Sequence, residues 1–148
     1  GRVRSIGVSN FNPDHLERII GETGVVPVVN QIELHPYFQQ RDKRAFCAAH
    51  DIRIESYSPL GAGLVLEDAA IGTIGARYDK SIAQTILRWH LQQGLIVIPK
   101  TTHAARLREN LDVFDFALGA GEMEVIDRLD KGAAGRHGND PAKAATLF

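Results

Sequence analysis

Cysteine, methionine and tryptophan occur once each in 148 residues. The lone thiol, Cys47, excludes an internal disulfide and fits a reducing compartment, so a cytoplasmic protein is expected. No apolar run approaches the roughly 20 residues of a membrane span. No secretory-signal pattern stands at the start, and no membrane partner is expected. The formal net charge is −1, so neither sign dominates and no nucleic-acid partner is expected. The histidines are scattered without ligand spacing, which argues against a metal site. The chain opens Gly-Arg-Val-Arg without a methionine, and a natural start upstream is expected.

What the chain does have is alternation. Residues 5–9 read as a short strand, and Asn12-Pro13 opens a helix to about Thr23. Leu16, Ile19 and Ile20 recur at helical spacing and give that helix a buried face. Residues 28–32 form a second strand, and residues 39–50 a helix with Phe46 and Cys47 inward. Residues 52–57 form a third strand, ending in Tyr57-Ser-Pro-Leu-Gly61 and a glycine-rich turn through Gly63. A helix near residues 67–78 follows, then one capped by Ser81 to about Gln92, packed through Ile82, Thr85, Ile86, Trp89 and His90 and closed by Gly94. Leu95-Ile-Val-Ile98 is apolar and mostly β-branched, the pattern of a fully buried strand in a parallel sheet. Pro99 ends it, and a helix follows to Asp112. Residues 119–129 make a last amphipathic helix, and residues 132–148, rich in glycine and alanine, read as a loose tail.

Strands alternating with helices imply an α/β fold with a parallel sheet. Four βα units are half of a closed (β/α)8 TIM barrel, which typically takes about 250 residues. The expected architecture is a half-barrel over residues 1–131 and a tail over 132–148. Such a sheet leaves two edge strands and one face uncovered. A two-fold homodimer that closes an eight-stranded barrel is therefore expected.

The stretch from Lys100 to Asn110 suggests anion capture. Lys100 stands just past a strand end, Thr101 and Thr102 are placed to cap the next helix, and Arg106, Glu109 and Asn110 share a face with Thr102. A helix N-terminus, a lysine and an arginine fork converging on one spot suit a phosphate. Taken alone, the same pattern also describes a capped, solvated helix start. Ser9-Asn10, Gln31, Tyr57-Ser58 and Lys100-Thr101 all lie at or near C-terminal strand ends, the rim that carries active sites in barrels. Each has a structural alternative: Asn10 as a strand terminator, Gln31 as a partner for buried backbone, Tyr57 as core, Lys100 as a solvated charge.

Gly7-Val-Ser-Asn-Phe11, Val29-Asn-Gln-Ile-Glu33 with His35-Pro36, Tyr57-Ser-Pro-Leu-Gly61, Leu87-Arg-Trp89, Ile98-Pro-Lys100 and Arg106-x-x-Glu-Asn110 with Val113-Phe-Asp-Phe116 resemble the aldo-keto reductases. Within that family Arg88-Trp-His-Leu-Gln92 and residues 109–116 look most like the bacterial 2,5-diketo-D-gluconic acid reductases. The resemblance implies the C-terminal half of the barrel, strands five to eight, with NADPH bound at its rim. It implies that Ser9, Asn10 and Gln31 hold the nicotinamide carboxamide and that Tyr57 stacks on the ring. Ser58, Leu60 and Gly61 would lie beside the pyrophosphate. Lys100, Thr101, Thr102 and Arg106 would surround the adenosine 2′-phosphate, with Glu109 and Asn110 near the adenine.

The resemblance also implies an absence. The family's acid is a tyrosine supported by an aspartate, a lysine and a histidine, all on the first four strands. Neither Tyr37, Tyr57 nor Tyr78 matches its motif, so no catalytic residue is assigned. The implied function is that of a piece of an NADPH-dependent oxidoreductase reducing small-molecule carbonyls, 2,5-diketo-D-gluconate or related aldehydes and ketones, to alcohols, inactive as it stands. The alternative is a non-catalytic nucleotide-binding or structural half-barrel.

Overall fold

The structure is a computed structural model that describes residues 1–144. Four strands form one sheet in chain order: β1 (Gly7–Ser9), β2 (Val29–Glu33), β3 (Arg53–Tyr57) and β4 (Ile96–Val97). All pairings are parallel, and the register sets Ser9 beside Gln31, Gln31 beside Glu55 and Glu55 beside Ile96. The helices α1 (Pro13–Thr23), α2 (Arg41–Ala49), α3 (Ala69–Ala76) and α4 (Ile82–Gln92) provide the crossovers that parallel pairing requires. After β4 come α5 (Ala104–Leu111), α6 (Ala120–Asp127) and the short α7 (Pro141–Ala144). Among the described residues no helix is long and apolar enough to cross a membrane.

Side chains alternate across the sheet. Ile32 and Ile54 turn toward the helices and join Leu16, Cys47, Ile71, Ile86, Trp89 and Ile126 in one core cluster. The opposite face of β2 and β3 therefore carries Gln31, Glu33, Glu55 and Tyr57. Buried polar groups on the helix side shape the turns. Asn30 accepts the Phe11 N–H at 3.3 Å and donates to the Phe11 carbonyl at 2.9 Å, which pins the loop after β1. Ser56 donates to the Leu34 carbonyl at 2.6 Å.

The helix starts follow their sequence. Ser81 Oγ accepts the Gln84 N–H at 3.2 Å while Gln84 Oε1 accepts the Ser81 N–H at 3.0 Å, a reciprocal cap for α4. At α1 the partner differs from the expected one. Asn12 holds the cap position without a side-chain capping bond, and its N–H donates to His15 Nδ1 at 3.2 Å.

Two expectations need correction. The run 95–98 is not fully buried: Leu95 is, but Ile96 is 44% and Ile98 43% exposed, and only Ile96–Val97 pair. β4 is the sheet's edge, and the face that Ile96 and Ile98 share is uncovered among the described residues. The segment after Lys131 is held against the rest of the fold as far as Gly138. The Lys131 N–H donates to the Tyr37 carbonyl at 2.9 Å, and Gly135 is buried against the Tyr37 backbone, where a Cβ would meet that carbonyl oxygen at 1.8 Å. Glycine here marks close approach of two chain segments, which composition alone presents as looseness. Residues 145–148 of the tail lie outside the described residues.

Candidate functional site

All four strands point the same way, so their C-terminal ends share one edge of the sheet. The backbone is unusual along it. Asn10, Ser58 and Ala62 adopt φ values of 60°, 48° and 52°, the left-handed region that non-glycine residues rarely enter. Such conformations persist where surrounding structure holds them, and they concentrate at binding sites.

A cavity of about 820 Å³ opens at this edge. The loop after β3 supplies Ser58, Leu60, Ala62, Gly63 and Leu66 to its wall. The start of α4 supplies Ser81–Ala83, and the β4–α5 segment supplies Lys100, Thr101, Thr102, Arg106, Glu109 and Asn110. Its size is that of a small-molecule pocket. Among the described residues neither Lys100 nor Arg106 has a hydrogen-bond or ion-pair partner. Both stand on the cavity wall, which also carries the Glu109 carboxylate.

The threonines do not cap α5 as expected. His103 occupies the cap position, extended at φ −105°, and no side chain caps the helix. Thr101 Oγ1 accepts the His103 N–H at 3.1 Å, ahead of the helix rather than within it. The reason is length: the chain needs three residues after Pro99 to turn from β4 into α5, and the hydroxyls fall in that turn.

Ser9, Asn10, Gln31 and Tyr57 form a second group beside the cavity. Ser9 Oγ and the Asn10 N–H both donate to the Gln31 carbonyl, at 3.1 and 2.8 Å. The Tyr57 hydroxyl donates to Asn10 Oδ1 at 3.2 Å, and the Gln31 amide donates to Glu55 Oε1 across the strands. Burial first, and then the nearby Glu33 carboxylate, push the Tyr57 phenol up. It is a neutral donor at any physiological pH.

Gly61 belongs to neither group. It is buried at φ +56°, and a Cβ there would lie 2.6 Å from Val65 Cγ2 and 3.4 Å from His35 Nδ1. It is a packing glycine behind the rim. The sequence reading missed Leu66, Ile82 and Ala83 in the wall. Ser81 carried a usable signal, because a capped helix following a strand-end loop must start at the rim.

A model of the aldo/keto reductase family matches residues 1–131. This chain belongs to the aldo/keto reductase family. It is 51% identical over 143 residues to methylglyoxal reductase DkgA of Yersinia pestis, covering 95% of this chain and 51% of that protein. The solved structure of a Gox0644 mutant in complex with NADPH is similar with a TM-score of 0.92 at 58% identity, over 96% of this chain and 52% of that one. A structure assigned as 2,5-diketo-D-gluconic acid reductase B is more distant, at 38% identity and a TM-score of 0.88, over 94% of this chain and 50% of that one. The likeness to 2,5-diketo-D-gluconic acid reductases is therefore one among several within the family, weaker than that to DkgA. This aldo/keto reductase chain spans about half the length of the curated relatives it matches.

Proposed function

We propose that this chain is the C-terminal, cofactor-binding half of an NADPH-dependent aldo/keto reductase that reduces small carbonyl compounds to alcohols. The observation that carries the reading is the pair of cations, Lys100 and Arg106, on one cavity and without a partner among the described residues. A cavity wall with two such positive charges suits a dianionic phosphate, and the phosphate that separates NADPH from NADH is the 2′ one. In this reading Lys100, Thr101, Thr102 and Arg106 hold the 2′-phosphate, and Glu109 and Asn110 border the adenine. Ser58 and Leu60 flank the pyrophosphate, with Gly61 setting the shape of their loop from behind. Ser9, Asn10 and Gln31 present amide and hydroxyl groups to the carboxamide. Tyr57 offers its ring face to the nicotinamide, its hydroxyl tethered to Asn10. The cofactor supplies a hydride when bound.

The proton that a reduced carbonyl needs has no donor assigned on this chain. We place that donor on the half of the parent protein that its relatives have in addition, and expect no turnover from residues 1–148 alone. The substrate class is a small dicarbonyl or keto sugar acid. Methylglyoxal is the first to test, given the likeness to DkgA, and 2,5-diketo-D-gluconate the second. NADPH and NADH titrations followed by nicotinamide fluorescence test the reading. Saturable binding of NADPH with a clear preference over NADH supports it, and equal or absent binding of the two overturns it.

A further inference from the structure

Beside Tyr57 stands a buried carboxylate that the cofactor reading leaves without a task. Glu33, the last residue of β2, is 1% exposed. Its Oε1 accepts the His137 N–H at 2.6 Å and lies 3.1 Å from His35 Nε2. Its Oε2 accepts the Gly138 N–H at 2.8 Å. A carboxylate withdrawn from water is costly unless its oxygens are filled, and here they are. Burial alone would push the Glu33 carboxyl up. The two amides and His35 outweigh burial and hold it below its ordinary value.

His35 completes the arrangement from the other side. It is fully buried, and its Nδ1 has no hydrogen-bond partner among the described residues. That nitrogen faces Gly61, where it could find no acceptor. The proton therefore belongs on Nε2, donated to Glu33, and Nδ1 carries the lone pair. Gly138 is held as tightly. A Cβ there would come within 2.9 Å of Glu33 Oε2 and 3.5 Å of the Tyr57 hydroxyl. A side chain there would crowd the Glu33 carboxylate, while it would meet the Tyr57 hydroxyl at ordinary contact distance.

We propose that Glu33 is a positioning residue: it clamps residues 137 and 138 beside the hydroxyl end of Tyr57 and thereby fixes the ring on which the nicotinamide would lie. The last clause rests on the cofactor reading, but the clamp does not. The Tyr57 hydroxyl donates to Asn10 and has the Gly138 segment as a neighbour. The carboxylate holds a chain segment from the far end of the sequence in register with β2.

The test uses the whole chain with three variants. In Glu33→Gln the side-chain nitrogen presents hydrogens to an amide that needs an acceptor. In Gly138→Ala the same contact is opened from the opposite side. Gly121→Ala, in α6 with open space around its Cα, is the control. Both clamp variants should lower hydrogen-exchange protection at the His137 and Gly138 amides by about tenfold or more. Core amides such as that of Ile54 should keep theirs. The Tyr57 ring signals in the NMR spectrum should move in both variants and stay in the control. At saturating NADPH the nicotinamide emission should change while the dissociation constant moves less than about twofold, because affinity resides at the phosphate end. Unchanged protection at 137 and 138, with unmoved Tyr57 signals, overturns the proposal. Loss of protection and shifted Tyr57 signals in a chain that does not bind NADPH would support the clamp and overturn the cofactor reading instead.

Discussion

Lys80 is held between Asp112 and Asp115 at 2.7 and 2.8 Å, and Arg77 and Arg128 each have a glutamate. Lys100 and Arg106, on the cavity wall, have no such partner among the described residues. A charge that has no internal partner is available to a ligand, and its removal leaves no orphan behind. Lys100→Ala and Arg106→Ala should each weaken NADPH binding by about ten- to a hundredfold, the worth of a charge-assisted contact, and leave NADH nearly unchanged. Fluorescence titration with both nucleotides checks this, and thermal unfolding should show both variants as stable as the parent. Gly61→Ala should behave in the opposite way. It combines a left-handed backbone with a 2.6 Å clash on Val65, and should cost about 1–3 kcal/mol of stability in a denaturant titration. The cations were legible in the sequence because a strand end followed by a helix start has a fixed geometry. The task of Gly61 was not, because the residues it packs against, Val65 and His35, announce nothing about approach distance.

α4 connects the rim to the core and carries a buried histidine. His90 is fully buried, with Nδ1 2.8 Å from the Ile86 carbonyl and Nε2 3.1 Å from the Leu34 carbonyl. Burial dominates those bonds and pushes its pKa down to about 4. Between that value and the ordinary 6.5 the unfolded chain takes up a proton that the folded chain refuses. The contribution of His90 is therefore complete above about pH 6.5, declines as pH falls, and is lost below about pH 4, on the order of 3 kcal/mol in all. His35, also held down by burial, adds in the same direction. The Glu33 carboxyl, held below its ordinary value, withdraws its share only as pH drops through the carboxylate range. Urea midpoints should hold from pH 7.5 to about 6.5 and fall from there to pH 4, and a flat profile would contradict the buried, neutral His90. At the start of the same helix, Ser81→Ala should cost about 1 kcal/mol by thermal unfolding, since it opens the reciprocal cap. Elements such as this one are the legible part of the chain, because caps and apolar spacing are local signals. β4 misled for a physical reason. Four apolar residues in a row look the same whether both faces are packed or one is waiting for a partner.

At the scale of the molecule the sheet ends in two open edges, β1 and β4. α5 contributes no buried residue, and Leu107, Leu111 and Phe114 are exposed beside it. Ile96 and Ile98 are exposed on the sheet itself, on the face turned away from the helices. In isolation the chain should associate, and the two-fold arrangement proposed from the sequence sets each β1 against the partner's β4. Sedimentation equilibrium should give a concentration-dependent mass above that of one chain, and a monomer at high concentration would refute the arrangement. Assays with methylglyoxal and NADPH should show no turnover.

Order along the chain, the parallel sense of the sheet, the caps and the placement of polar residues at strand ends were all written in residues near one another. Periodicity and turn chemistry act over a few positions, so a linear reading can recover them. The contacts that complete the rim join residues far apart: Tyr57 with Asn10, Gly135 with Tyr37, and His137 and Gly138 with Glu33. A hydrogen bond between distant segments leaves no period in the sequence, and a glycine required by close packing is spelled like one that merely bends. Folding had to bring those segments together before the buried carboxylate and the glycine-rich end could be recognised as parts of one arrangement.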